Sequence, residues 1–107
     1  MATARDLRRI ALSLDGTVEA PHFDRTAFKV RRIYATLAAD GRTANLMFTP
    51  DEQALKCTVA PEAFSPVPNA WGLRGATTAK LAALTVEELR DALALAWQHA
   101  LPKAKAR

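Results

Sequence analysis

The sequence predicts an α+β fold built around a single two-layer core, and three observations support this class. The chain has 107 residues, which is enough for one core and too few for two. An Asp40-Gly41 pair stands between two runs of alternating apolar residues, the strongest short-range signal of a β-hairpin. A helix with a capping signal at Thr85 and a stop at Pro102 closes the chain.

The first predicted element is an amphipathic helix over residues 4–14. Thr3 can cap its start, and Gly16 lies where a left-handed residue commonly ends a helix. Its apolar stripe consists of Leu7, Ile10, Ala11 and Leu14. Arg5, Arg8 and Arg9 point away from this stripe, and a solvated helix face explains them best.

Residues 17–25 have no clear hydrophobic period and contain Pro21, so we predict a loop there. We expect Phe23 to pack beneath this loop and His22 to bond a nearby backbone group. His22 and Asp24 lie close in sequence, but no second close His or Cys accompanies them. The sequence therefore predicts no metal site here.

Three strands are predicted next, separated by a turn near Arg31-Arg32 and by the Asp40-Gly41 turn. Their inward residues are Phe28 and Val30, then Ile33, Ala35 and Leu37, then Ala44, Leu46 and Phe48. By alternation, the open face of the sheet carries Tyr34, Thr36, Asn45 and Met47. This face is either a contact surface or an ordinary water-facing sheet surface.

Thr49-Pro50-Asp51-Glu52 combines a cap, a proline at the first helical position and a capping-box glutamate, which predicts a short helix with Leu55 facing inward. Cys57 lies in this helix. No base accompanies it in sequence, so it is interpreted as a small core residue and not as a catalytic thiol. The prolines at 61, 66 and 68 confine Phe64 and Val67 to an edge strand or an extended connector.

Gly72 and Gly75 bracket Leu73-Arg74 and predict either a tight turn or a backbone that passes close to another group, followed by a strand over residues 76–84. The final helix has one continuous apolar stripe, formed by Val86, Leu89, Leu93, Ala96, Trp97 and Ala100. Leu95 falls on the opposite, polar face, where we expect it to meet water.

The net charge of +4 is weak support for nucleic-acid binding, because three basic residues lie at the C-terminus. Without Lys103, Lys105 and Arg107 the net charge falls from +4 to +1. We therefore divide the chain into a domain over residues 1–102 and a basic tail over 103–107. The lone cysteine and the absence of an apolar membrane or signal segment predict a cytoplasmic protein without membrane association.

The order of elements and several short motifs resemble the MmcQ/YjbR family of small bacterial proteins. The resemblance covers nearly the whole chain. It is carried by Leu12-Ser13-Leu14-Asp15-Gly16 with Glu19, by His22-Phe23 and Phe28, by Arg32-Ile33-Tyr34-Ala35-Thr36-Leu37, and by Trp71-Gly72-Leu73-Arg74-Gly75-Ala76-Thr77. It implies a CyaY-like (frataxin-like) two-layer sandwich in which helices pack on one face of an antiparallel sheet.

The resemblance also implies a DNA-binding module, and no motif in the sequence predicts enzymatic activity or a cofactor. Five basic residues, Arg31, Arg32, Arg42, Arg74 and Lys80, would contact phosphates, while Tyr34 and Trp71 would offer stacking surfaces. The iron chemistry of frataxin is not implied, because the first helix presents arginines in place of an acidic face.

A second hypothesis is a module that binds a protein or a small ligand. It would use the open face around Tyr34, Asn45, Met47, Thr78 and Lys80. An enzyme is the least supported hypothesis, since neither Ser13 nor Ser65 lies in a nucleophile motif. The sequence leaves the partner's identity and the oligomeric state open.

Overall fold

A computed structural model describes residues 1–101, so Pro102 and the predicted tail 103–107 lie outside the described residues. The helices are α1 (Ala4–Ser13), α2 (Pro50–Val59), α3 (Ala70–Leu73) and α4 (Val86–Ala100). The strands are β1 (Val18–His22), β2 (Arg25–Lys29), β3 (Ile33–Leu37), β4 (Thr43–Met47), β5 (Phe64–Pro66) and β6 (Ala76–Lys80).

The six strands form one antiparallel sheet in the order β1-β2-β3-β4-β6-β5, with helices packed on one face. The core lies between these two layers. Phe28, Ala35 and Leu46 are fully buried neighbours on the sheet side, and they meet Leu89 and Leu93 of α4 within the same apolar cluster. This arrangement confirms the predicted α+β two-layer class.

The three longest helices begin where the capping signals predicted. Thr3, Thr49 and Thr85 each accept a hydrogen bond from the backbone of the third helical residue. That residue is Asp6, Glu52 or Glu88, and its carboxylate accepts the N–H of the cap in return. Each reciprocal pair satisfies two backbone donors that an α-helix leaves free at its N-terminus.

The predicted loop over residues 17–25 is wrong, because residues 18–22 form the edge strand β1. An edge strand tolerates Pro21, whose missing N–H can face solvent without breaking a ladder bond. The expected packing of Phe23 is also wrong. This residue lies in the turn between β1 and β2 and is 93% exposed.

The placement of Tyr34 on the open face is wrong as well, and a β-bulge explains the difference. Phe28 pairs with Ala35 while Lys29 pairs with Ile33, which leaves Tyr34 as an extra residue on β3. Its side chain turns toward the helices and is fully buried. The hydroxyl lies 2.9 Å from Thr17 Oγ1 and donates to the Ala11 carbonyl of α1 at 3.3 Å.

The other differences are local. Leu55 is 64% exposed and does not face inward as predicted. None of the residues of α2 is fully buried. The strand predicted over residues 76–84 is β6 and ends at Lys80, and residues 81–83 form a 3-10 turn. The glycine-bracketed turn is the one-turn helix α3, and Leu95 packs partly buried against the core. Cys57 is also partly buried against the core, as its predicted packing role requires.

Candidate nucleic-acid interface

The centre of the open face, the sheet surface turned away from the helices, is a row of small polar side chains. Thr36, Asn45 and Thr78 are directly opposed on β3, β4 and β6, and opposed residues of antiparallel strands share a face. Thr78 Oγ1 donates to Asn45 Oδ1 at 3.0 Å. The row is therefore flat and already hydrogen-bonded.

Basic side chains surround this row. Lys29 alternates with the buried Phe28, and Lys80 with the buried Ala79, so both project from the open face. Arg25 lies across the face and is held there by Thr36. Its Nε donates to Thr36 Oγ1 at 2.9 Å and its Nη2 to the Thr36 carbonyl at 3.2 Å.

Carboxylates are excluded from the strand positions of this face. Within the strands of residues 1–101, Glu19 is the one acidic residue, and it projects to the helix side. There its Oε1 pairs with Arg8 Nε of α1 at 2.7 Å. Acidic residues do occur in two hairpin turns, at Asp24 and Asp40, and Asp40 accepts the Arg42 N–H of its own turn at 2.9 Å.

The helix layer has the opposite balance along α2 and α4. These helices carry five acidic residues, Asp51, Glu52, Glu87, Glu88 and Asp91, against the basic residues Lys56 and Arg90. Two of the α1 arginines are paired, Arg8 with Glu19 and Arg9 with Asp6 at 3.4 Å. The open face therefore presents basic side chains with no carboxylate on its strands, even though the net charge is small.

A cleft of about 480 Å³ opens at the end of β4, and we call it the Trp71 cleft. Its walls include Arg32, Trp71, Arg74 and His99 together with Met47, an open-face residue. Trp71 is 61% exposed, and the Arg74 guanidinium carbon lies 5.6 Å from the centre of its ring. Arg32 Nη2 donates to the His99 carbonyl at 2.8 Å.

The backbone around Trp71 is fixed by close packing and by hydrogen bonds to neighbouring segments. Gly72 and Gly75 pass so close to the backbone of Val67 and Phe48 that a Cβ at either position would overlap a carbonyl oxygen. Gln53 Nε2 donates to the carbonyls of Gly72 and Ala76, at 2.9 Å each. An exposed tryptophan on a fixed backbone is preorganised to contact a ligand.

Arg42 and Lys80 form a second basic corner at the other end of the same two strands. They line a shallow pocket of about 500 Å³ beside the start of α1. Lys80 pairs with Thr43, whereas Ala76 near the Trp71 cleft pairs with Met47. Four residues of strand separate the two corners, which corresponds to roughly 13 Å.

The structure brings together most, but not all, of the site residues expected from the sequence. Arg32, Trp71 and Arg74 meet in the Trp71 cleft, and Arg42 meets Lys80 at the basic corner. Arg31 is exposed in the turn between β2 and β3. Tyr34 is removed from the site because its ring is buried and cannot stack on a ligand.

Sequence reasoning missed Arg25 and Lys29. The signal was present in Arg25-Thr26-Ala27-Phe28-Lys29, where a basic residue directly follows the core residue Phe28 and must face the other way. The phosphate contacts predicted from the sequence were mainly arginines at hairpin ends, so these two residues within a strand were not included.

Two further findings limit the chemistry of the described part of the chain. Residues 1–101 contain no group of three His, Cys, Asp or Glu side chains placed to hold a metal ion. None of the helices in this range is long and apolar enough to cross a membrane.

The fold is similar to the crystal structure of the Deinococcus radiodurans protein DR2400, a DUF419 domain. The two structures match with a TM-score of 0.73 and 23% sequence identity, over 87% of this chain and 74% of that one. The sequence matches no family model, and no curated protein matches it. The likeness to DR2400 thus establishes a shared α+β architecture.

Proposed function

We propose that this chain is a non-enzymatic nucleic-acid-binding protein of the MmcQ/YjbR type that holds a single strand across its open face. The observation that carries this proposal is the charge pattern of that face. Arg25, Lys29 and Lys80 surround a flat polar row, and the strands present no carboxylate beside them. A cytoplasmic location belongs to the same proposal.

Such a face suits a phosphate backbone. Phosphate contacts through Lys and Arg release condensed counterions, and each contact contributes about 0.7 to the salt slope of single-strand binding. Basic groups on a sheet surface whose strands present no carboxylate can follow a nucleic-acid strand without reading its sequence. We therefore expect binding that is salt-dependent and largely indifferent to sequence.

The Trp71 cleft favours single strands over duplexes. An exposed tryptophan can stack only on a base whose face is free, which a base within a duplex does not offer. Arg74 beside the ring and Arg32 across the cleft place positive charge where the adjoining phosphates would lie. The helices α2 and α4 are mainly acidic, and two of the three arginines of α1 are paired with carboxylates, so the helix layer suits a phosphate backbone less well.

The family assignment has two independent supports. The motif residues quoted above resemble MmcQ/YjbR sequences, and the Trp71–Gly75 stretch among them shapes the Trp71 cleft. The architecture is shared with a DUF419 domain. DNA binding itself enters from the family resemblance and from the charge pattern.

The proposal is tested by fluorescence anisotropy with labelled single-stranded and duplex oligonucleotides at several salt concentrations. The double variant Lys29→Gln/Lys80→Gln should lower single-strand affinity and reduce the salt slope by about 1.4. The control Lys56→Gln/Arg90→Gln removes the same charge from the helix side and should retain the wild-type slope. Equal losses in both variants, or no binding by the unaltered chain at low salt, would contradict the proposal.

A second candidate function is capture of a small planar anion in the Trp71 cleft alone. The specific observation is that Arg32, Arg74 and His99 converge beside an exposed indole ring. Calorimetric titration with a nucleoside monophosphate tests this candidate. Tight binding that Arg74→Ala abolishes and Lys80→Gln leaves intact would favour a small-ligand protein.

A further inference from the structure

The turn between β1 and β2 presents an aromatic ring to solvent in a strained backbone conformation. His22 pairs with Arg25, so Phe23 and Asp24 form a two-residue hairpin turn. Phe23 has φ = +59°, in the left-handed region, and is 93% exposed. It is the one residue other than glycine with positive φ among residues 1–101.

Stability does not explain a phenylalanine at this position. Two-residue hairpin turns that require positive φ favour Gly, Asn or Asp, and a bulky residue there is an outlier. The exposed ring gains little from burial to offset the strain. Strained exposed residues are found where a function requires the side chain.

Phe23 lies at the tip of a hairpin that also carries basic side chains of the open face. The rings of His22 and Phe23 meet at an angle of 67° with their centres 4.9 Å apart, and Phe23 remains 93% exposed. Arg25 and Lys29 follow on the same hairpin and project from the open face. Asp24, the other turn residue, disfavours a phosphate at the tip, so a base is the better partner for the ring.

We propose that Phe23 is a second base-stacking residue, which places one single strand diagonally across the open face between Phe23 and Trp71. This inference rests on the proposed function and adds the path and length of the bound strand. The two aromatic residues lie near opposite corners of the sheet, because Phe23 caps β1–β2 and Trp71 lies beyond the far end of β6.

The geometry sets the length of this path. Strand spacings of about 4.8 Å and a rise of about 3.3 Å per residue put the two corners roughly 25 Å apart. A strand that keeps the helical rise of about 3.4 Å per nucleotide needs about six to eight nucleotides to span that distance, within the site sizes known for sheet-based single-strand binders. Arg25 lies at the Phe23 end of the diagonal, whereas Lys29 and Lys80 lie on either side of it, near the two other corners of the face.

The test measures binding of oligothymidylates of about 4, 8 and 12 nucleotides to the full chain and to Phe23→Gly. The 8-mer and 12-mer should bind Phe23→Gly about tenfold more weakly, with an unchanged salt slope, because one stacked base is lost. The 4-mer cannot reach both rings, and its affinity should fall by at most about twofold. Leu55→Ala, which removes an apolar side chain of α2 that is 64% exposed, should have no effect at any length.

Folding is checked separately. Phe23→Gly should melt at a higher temperature than the unaltered chain, since glycine relieves the positive φ. Phe23→Leu keeps the strain and most of the bulk but lacks a ring, and should show the same loss of 8-mer affinity. Unimpaired 8-mer binding by either variant, or an equal loss at all lengths, overturns the inference alone. No binding by the unaltered chain overturns the proposed function with it.

Discussion

Glu52 Oε1 and His99 Nε2 lie 2.7 Å apart, and this contact joins the first turn of α2 to the last turn of α4. Glu52 Oε1 also accepts the backbone N–H of Thr49 at 2.9 Å. Burial alone would raise the pKa of Glu52, but the hydrogen bonds from Thr49 and His99 outweigh it and hold the pKa below its usual value. One wall of the Trp71 cleft therefore depends on an ionised carboxylate.

The lowered pKa of Glu52 predicts a loss of stability in acid. A carboxyl group whose folded pKa is depressed contributes stability above its unfolded pKa of about 4.3, and that contribution disappears as the pH falls through the folded pKa. Glu52→Gln should cost about 1 kcal/mol at neutral pH. Urea unfolding should show this gap closing below about pH 4. Asp51→Asn, an exposed neighbour, is the control, and a gap that persists in acid would contradict this account.

Gly75→Ala should be among the most destabilising single substitutions. Its φ of +113° is strained for any side chain, and a Cβ would overlap the Phe48 carbonyl. We expect a loss of about 3 kcal/mol or more in the free energy of unfolding. Gly16→Ala is the matched control, because its φ of +77° is also strained but an added Cβ would meet only Val30 Cγ1, at an ordinary contact distance of 3.7 Å. It should cost only about 1 kcal/mol, and equal costs at the two positions would argue against the overlap.

The helix starts could be predicted because their determinants are local. Thr3, Thr49 and Thr85 each bond a residue three positions away, so a short stretch of sequence contains the whole signal. The strand β1 could not be found in this way. Val18–His22 has no alternating apolar pattern, because this strand is stabilised by backbone pairing with β2 and not by the burial of one face.

The candidate site was predictable in its charges and less so in its geometry. Gly72 and Gly75 flank Arg74 and follow Trp71, and the structure shows that both glycines lie close against neighbouring backbone. Tyr34 was misplaced because one inserted residue on β3 reverses the alternation, and sequence does not reveal a bulge. Phe23 was expected to pack beneath a loop, because an exposed phenylalanine at positive φ contradicts the propensities on which a prediction rests.

Tyr34→Phe separates a structural role from a binding role. Removing the hydroxyl takes a hydrogen bond from Thr17 and from the Ala11 carbonyl, at 2.9 and 3.3 Å. We expect a loss of about 1 to 2 kcal/mol in urea unfolding, because these groups are part-buried. Nucleic-acid affinity should stay within twofold of the unaltered chain, roughly the error of such titrations. A large affinity loss with unchanged stability would return Tyr34 to the binding surface.

Trp71 offers a direct optical test of the cleft. In a Trp97→Phe background, Trp71 is the one remaining indole, and its 61% exposure gives emission typical of a solvated ring. Stacking of a base should quench this emission as single-stranded DNA is added, in parallel with the anisotropy change. The matched variant Trp71→Phe, which leaves Trp97 as reporter, should show little quenching. That contrast holds because Trp97 Nε1 bonds the Asp15 carbonyl at 3.0 Å and its ring packs against the core.

The reactivity of the Cys57 thiol tests the non-enzymatic part of the proposed function. Burial raises the pKa of the Cys57 thiol, so the folded chain holds less thiolate at a given pH than an unperturbed cysteine. Reaction with a disulfide reagent near pH 8 should be several-fold slower in the folded chain than in urea. The expectation follows from both access and ionisation, because the side chain is also partly buried against the core. A folded-state rate at or above the unfolded one would mean that a neighbouring group activates the sulfur, and an enzymatic role would then have to be reconsidered.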